Sequence, residues 1–478
     1  MTPHRPMPIG FALALFAGGT IAALPAHAAV YAYNCVLNAR QEVPPVASGA
    51  LGGGRFVIDT DANTVTYRIS FGGLVGVESA AHIHGPAVQG VGGGVLVALP
   101  AGNPKVGVWN YLEAQEADIL AGRTYANIHS TFAPGGELRG QIVPLNALLD
   151  AKQEVPVNTS TGTGWATATV DTALNTISYY IFYEGLTGGV VNAHFHGNGL
   201  HGTSTGVKLS IPFGASPMIG VANYLQADEG ALLAGRFYVN LHTAANPGGE
   251  VRGQLVTVVV PIDAQQESPP TAATASAAFA MVAIDTLANI MSYDERILAL
   301  SGAESASHIH GFAAAGANAP VLSTQAPGTQ KIGTYAYGAA NEDNMRDGLT
   351  YFNIHTPTSP GGEIRGQITG LPIALPPPVV GVGGGPRLTS GLAAAPNPFG
   401  TRTVLSFQLA RTGRVALSIV GVDGRIVRVV PAALYAPGSH SFEWDGRDDA
   451  GRNVAPGVYF AIVRAPDGER TTRVARLR

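Results

Sequence analysis

Alternation of apolar and polar residues is the commonest pattern in the chain. The stretch "GRFVIDTDANTVTYRISFGGL", around Phe56–Leu74, carries two alternating runs joined by a turn-forming segment from Asp59 to Asn63. The figure returns as "ATATVDTALNTISYYIFYEGL" and again as "AFAMVAIDTLANIMSYDERIL". One stretch per copy changes period. "WNYLEAQEADILAGR" sets Leu112, Glu116 and Ile119–Leu120 at helical spacing with Gly122 as the stop, and Gly235 and Gly348 are the matching stops. The pattern predicts three copies of an antiparallel β-sandwich or barrel, each interrupted by one short helix.

The copies are marked at both ends. Each opens with "QEVPP", "QEVPV" or "QESPP" around Glu42, Glu154 and Glu267, spaced 112 and 113 residues apart. Each closes with "PGGELRGQI", "PGGEVRGQL" or "PGGEIRGQI". A period of that length is a domain with its own core, not a solenoid rung. The repeats are assigned to 31–144, 145–258 and 259–371, with boundaries near Pro144 and Pro261.

Composition refines this organisation. Charged residues are 13%, with 62 Gly and 33 Pro, which fits many strands joined by tight turns; apolar residues at 46% argue against disorder. Arg5, the apolar run Ile9–Leu24 and the A-x-A box Ala26-His27-Ala28 read as an export signal over 1–28. That run is short for a membrane span, and no later stretch is long and apolar enough for one. Cys35 is single, so neither an intramolecular disulfide nor a thiolate metal cluster can form. Residues 372–392 read as a Pro-then-Gly linker. Beyond it, 393–478 carries twelve Arg and seven acids, a net +5 that leaves −9 for the remainder. Its alternating runs predict a smaller β-sandwich. Its arginines are interspersed with acids along strands, a solvated sheet face and not a nucleic-acid surface.

Histidine carries the candidate chemistry. "HIHG", "HFHG" and "HIHG" contain His82/His84, His194/His196 and His308/His310, and each pair is answered by Asn-x-His at His129, His242 and His355. The separation from the second His of the pair is 45, 46 and 45 residues, and the pattern holds nine of the thirteen histidines. Residues two apart on a strand share a face, so both imidazoles of a pair point away from the apolar residue between them. Three neutral imidazoles suit copper, zinc or nickel with an open position. The alternative is a His–Asn hydrogen-bond cluster fastening two strands. His201, found in the second copy only, reads as a fourth ligand or as an exposed loop residue. Glu137/Arg139, Glu250/Arg252 and Glu363/Arg365 share a strand face and read as a charge pair closing the sandwich, or as a Glu orienting a ligand histidine. No nucleophile–base pair, phosphate loop or carboxylate dyad recurs with the repeat.

Three resemblances follow from these motifs. "QEVPP", "AHIHGPA" and "LLAGRFYVNLHTAANPGGEVRGQL" resemble the chordin-type (CHRD) domain family over residues 31–371, which implies immunoglobulin-like sandwiches. "PNPF" and "FEWDGRDDAGRNVAPGVYF" resemble the immunoglobulin-like domain of flagellar hook-capping proteins and related type IX secretion sorting domains. That likeness implies an exported bacterial protein whose tail is read by a secretion or surface-attachment machine. "HIHG" and "AGRTYANIH" are similar to copper-ligand strands of copper–zinc superoxide dismutases, although the bridging histidine and the zinc ligands of that family have no counterpart. The chain thus reads as an extracellular or surface scaffold of three modules, or else as a copper redox enzyme.

Overall fold

A computed structural model describes residues 30–172, 174–369 and most of 388–478. The segment read as an export signal and most of the stretch read as linker lie outside the described residues.

In the first repeat the strands are β1 (Val30–Asn38), β2 (Leu51–Asp59), β3 (Thr64–Gly72), β4 (Glu78–His84), β5 (Val95–Ala98), β6 (Lys105–Asn110), β7 (Thr124–Ser130) and β8 (Leu138–Ile142), with helix α1 at Glu113–Leu120. Their order in the sheet is β5-β4-β7-β8-β1-β2-β3-β6. The β8–β1 junction is narrow, registered at Asn38 and Arg139 with one further bridge between Asn34 and Val143. There the sheet folds into two four-stranded layers, β5-β4-β7-β8 over β1-β2-β3-β6. Phe56 and Ile69 from one layer meet Ile83 and Ile128 from the other, all fully buried, and the free Cys35 lies in the same core. The second and third repeats give the same strand order, each from its own strands. The expected all-β sandwiches with one short helix each are what forms.

Local chemistry accounts for the punctuation. Asp59 Oδ1 accepts from the backbone N–H groups of Asp61 and Ala62 at 3.0 Å, and Asn63 takes φ +52°, as Asn175 and Asn289 do in the other copies. The helix stops at Gly122, Gly235 and Gly348 with φ between +68° and +72°. The constant Gln of the closing motif also has a task. Gln141 Nε2 donates to Ala87 O and Gly122 O at 2.8 and 2.7 Å, tying the loop after the first His pair to the helix stop.

The three sandwiches close on one another. Arg68 on β3 of the first repeat pairs with Asp263 of the third at 2.7 Å, and Arg296 of the third pairs with Asp150 of the second at 2.5 Å. Glu184 of the second pairs with Arg40 of the first at 2.8 Å. In every case the β3 region of one repeat meets the end of the β1 strand of another or the turn just after it, so the contacts run in one cyclic direction. Asn34 of the first repeat accepts from Val259 N and donates to Thr257 O, while Asn146 of the second donates to Asn34 O. An apolar cluster drawn from all three repeats surrounds these bonds: Val36; Leu148 and Trp165; Val259, Phe279 and Met281.

The tail has a three-stranded sheet (Leu388–Ala395, Thr403–Leu409, Gly438–Trp444) and a four-stranded sheet (Gly413–Gly421, Ile426–Tyr435, Gly457–Ala465, Gly468–Arg476) around Phe399, Ile419 and Trp444. Its first strand starts at Leu388, inside the stretch read as linker, because pairing with Thr403–Leu409 draws those residues into the sheet.

The joint between the first and third repeats depends on a missing side chain. A Cβ at Gly53 would lie 2.6 Å from Phe279. Gly53→Ala should destabilise the chain by about 1–3 kcal/mol through overpacking. Gly135→Ala, which meets open space, should be nearly neutral, and urea unfolding of the two variants tests the contrast.

Candidate metal centre

Each centre is built on adjacent antiparallel strands of the layer β5-β4-β7-β8 or its counterpart. His82 on β4 stands opposite Asn127 on β7, and Ala80 stands opposite His129. Ile83 and Ile128 are fully buried in the core, which turns His82, His84 and His129 onto the opposite face. Phe195 and Leu241 do this for His194, His196 and His242; Ile309 and Ile354 do it for His308, His310 and His355. In each repeat one ring nitrogen from all three histidines falls within 4.8 Å of the others.

Hydrogen bonds select which nitrogens face inward. His84 Nδ1 donates to Gly93 O at 3.1 Å, and His129 Nδ1 donates to Pro134 O at 2.9 Å. Both rings are thereby fixed with Nε2 toward the centre. His82 Nδ1 lies 3.0 Å from His129 Nε2, while His84 Nε2 is buried with no partner. The matching Nε2 atoms of His196 and His310 are likewise unpartnered. The donor set is therefore Nδ1 of the first histidine and Nε2 of the other two. Burial lowers the pKa of His82 and His84, and the neighbouring His129 lowers them further, which favours the neutral, ligating form of those two rings. An orphaned, buried nitrogen beside two others fits a bound metal ion. Copper and zinc both suit this all-imidazole set.

A stack stands behind the second ligand. His84 lies flat on Tyr125, centroids 5.0 Å apart and planes 6° apart, and Arg139 Cζ sits 3.6 Å over the other face of Tyr125. The copies His196–Tyr238–Arg252 and His310–Tyr351–Arg365 repeat it, with guanidinium distances of 3.6 and 3.4 Å. The tyrosines went unread in the sequence, although "TYANIH", "FYVNLH" and "YFNIH" keep an aromatic residue at the position that shares the histidine's face.

The Glu–Arg readings are corrected here. Glu137 turns to Ser48 Oγ, Val75 N and Ser130 Oγ. It forms no ion pair with Arg139 and touches no ligand histidine; Glu250 and Glu363 follow it. The loop ahead of β4 needs a buried acceptor, and Glu137 supplies one. His201 is corrected too. It is neither a ligand nor exposed: it is buried at the joint with the third repeat, Nδ1 3.0 Å from Ser292 Oγ, and burial lowers its pKa to about 3. The His–Asn cluster also fails to form as read, because Asn127 Nδ2 donates to Glu42 Oε2 at 3.4 Å. Gly136, at φ +135°, lies so close that a Cβ would sit 2.5 Å from Asn127 Oδ1 and 2.6 Å from Glu42 Oε1. The Glu of the opening motif, the Asn of Asn-x-His and the second Gly of the closing motif form one contact.

With that geometry in place, relatives can be compared. The CHRD domain model matches residues 33–142, 145–255 and 258–368, more than half of the chain. The chain belongs to the CHRD domain family. A FlgD Ig-like domain follows at residues 399–469. Chordin of Xenopus laevis is 29% identical over 163 residues, and chordin of Danio rerio 28% over the same length. Each alignment covers 29% of this chain and 17% of the relative. Among solved structures, PorU and PorZ of Porphyromonas gingivalis align over 94% and 91% of the chain, and over 34% and 59% of their own. Both are 11% identical, and TM-scores of 0.17 and 0.16 carry no argument.

The CHRD contact at Glu42 yields a pH prediction. Burial lifts the Glu42 carboxyl to about 7, against the pull of Arg139 and Asn127, and Glu154 and Glu267 are lifted likewise. The folded chain then holds a proton that the unfolded chain releases near 4.5. The stabilisation is full below about pH 4.5 and is lost as pH rises toward 7, by at most about 3 kcal/mol per carboxyl. The depressed histidines act in the opposite sense, adding stability as pH rises toward their ordinary range. Glu42→Gln should therefore remove the share of the loss that this one carboxyl contributes, at most about 3 kcal/mol, read as the wild-type minus variant difference in urea midpoints from pH 4.5 to 7.

Proposed function

We propose that this protein is an exported bacterial scaffold displayed at the cell surface, in which each CHRD domain binds one metal ion, copper or zinc, through three imidazoles. The observation that carries the metal reading is the unpartnered buried Nε2 of His84, His196 and His310, each beside two further imidazole nitrogens. The Asn-x-His and His-x-His strands supply the donors, backbone carbonyls fix two of the three rings, and the half-buried first histidine leaves an open side for a further ligand. When bound, the ion would supply a Lewis-acidic position there, or a redox centre if it is copper. The second reading, a copper redox enzyme, is favoured by the Nδ1/Nε2/Nε2 donor set on strands similar to those of copper–zinc superoxide dismutases.

Export rests on the N-terminal segment together with the FlgD Ig-like domain. Among the described residues no helix is long and apolar enough to cross a membrane. The tail is the candidate address for secretion or attachment machinery, and the CHRD domains are the candidate surface for an extracellular partner.

Elemental analysis of untagged protein should find three equivalents of copper or zinc, and His129→Ala should lower this to two with the fold intact. Protein that binds neither ion sinks the metal reading. A redox assay on the copper-loaded chain separates scaffold from enzyme. Deleting 388–478 should leave the three CHRD domains folded and change where the protein ends up; unchanged location would refute the sorting role.

A further inference from the structure

We propose that each of the first two metal centres is positioned by the repeat that follows it, whereas the third is held by its own repeat. The inference rests on the metal-binding reading. It starts from the second ligand histidine, whose Nδ1 donates to a carbonyl nine residues on: Gly93 for His84, Thr205 for His196, Ala319 for His310. That carbonyl lies in the loop after the His pair, so ring orientation depends on the loop's position. The arginine of the stack holds the loop from within. Arg139 donates to Val91 O at 2.8 Å, Arg252 to Thr203 O at 2.7 Å, and Arg365 to Ala317 O at 2.8 Å.

The outer side of the loop is where the repeats differ. In the first repeat, Gly90 approaches the Tyr180 side chain of the second, so that a Cβ there would sit 3.8 Å from ring carbon Cε2 and 3.5 Å from the hydroxyl. In the second, His201 bonds Ser292 of the third, and Leu200 joins the apolar cluster containing Met281 and Ala283. Ser292 and Tyr180 occupy one outward face of corresponding strands, Ile290–Ala299 and Thr176–Glu184. In the third, Ala315 and Gly316 face Thr66 and Arg68 of the first repeat across an open cleft. Ser268 Oγ donates to Gly316 O, and Asn318 Nδ2 to Ser268 O, so this loop is tied to its own repeat. Two centres are thus buttressed from outside and one from within.

Replacing a group that orients a metal ligand costs roughly 10–100-fold in affinity. The test uses three full-length chains that each keep one centre, made by combining two of His129→Ala, His242→Ala and His355→Ala. Each is titrated with Cu(II) and followed by its EPR hyperfine pattern. Tyr180→Ala should weaken Cu(II) about tenfold and alter the spectrum in the chain keeping the first centre, and should leave the chain keeping the third unchanged. Tyr180→Phe, which retains the ring, should restore both readouts. Ser292→Ala should act in the same way on the second centre. An equal loss in all three chains, or an untouched first centre, would overturn the proposal. If no single-centre chain binds Cu(II), the metal reading itself falls and takes this inference with it.

Discussion

The structure of each centre depends on the two-residue period of a β-strand with one buried side chain in the middle. Ile83 is fully buried, and a register shift of one residue would expose it while driving two imidazoles into the core. The cost of that exchange, several kcal/mol in lost apolar burial and unpaired polar groups, pins the strand. The histidines inherit a direction they could not secure themselves. The second strand obeys the same rule through Ile128, so two independent core anchors aim three rings at one point.

A strand face that points away from the core normally meets water, and here it is covered. Arg139, Gln141 and Asn127 are all buried although they lie on the outer face of their layer. Polar groups there must find partners. Arg139 takes loop carbonyls and the Tyr125 ring, Gln141 takes Ala87 O and Gly122 O, and Asn127 takes Glu42. The opening and closing motifs are the pieces of this cover. The glycine of "PGGE" is required because the Glu–Asn contact leaves no room for a Cβ.

Much of this was legible from residue pattern. The hairpin around Asp59, the helix stops and the shared face of each His pair follow from period and turn chemistry, which act over a few residues. The Glu42–Asn127–Gly136 contact was visible only as three constant motifs, because its members are 85 and 94 residues apart from Glu42 and nothing local couples them. Glu137 and Arg139 misled for a different reason. Two residues apart on a strand predicts a shared face, and the opposite charges then suggest a pair, but each found a stronger set of partners elsewhere in the fold. His201 looked exposed because its cover comes from another repeat. Contacts between domains leave no period in the sequence of either one.

The way the repeats meet explains why they diverge where they do. A head-to-tail contact between identical modules either closes into a ring or propagates without end. Here the facing positions differ among the copies: Gly53, Trp165 and Phe279 correspond, as do Arg68, Tyr180 and Asp294. Gly53 admits Phe279 at one joint, and Trp165 stacks on Tyr180 within its own repeat at 5.0 Å. Asp150 accepts Arg296, and Asp263 accepts Arg68, so each charged joint has one partner of the right sign. These differences set the order of modules around the ring. The interior of each sandwich and its histidines carry no such burden. That is why the nine histidines keep their spacing while the joint-facing residues have diverged.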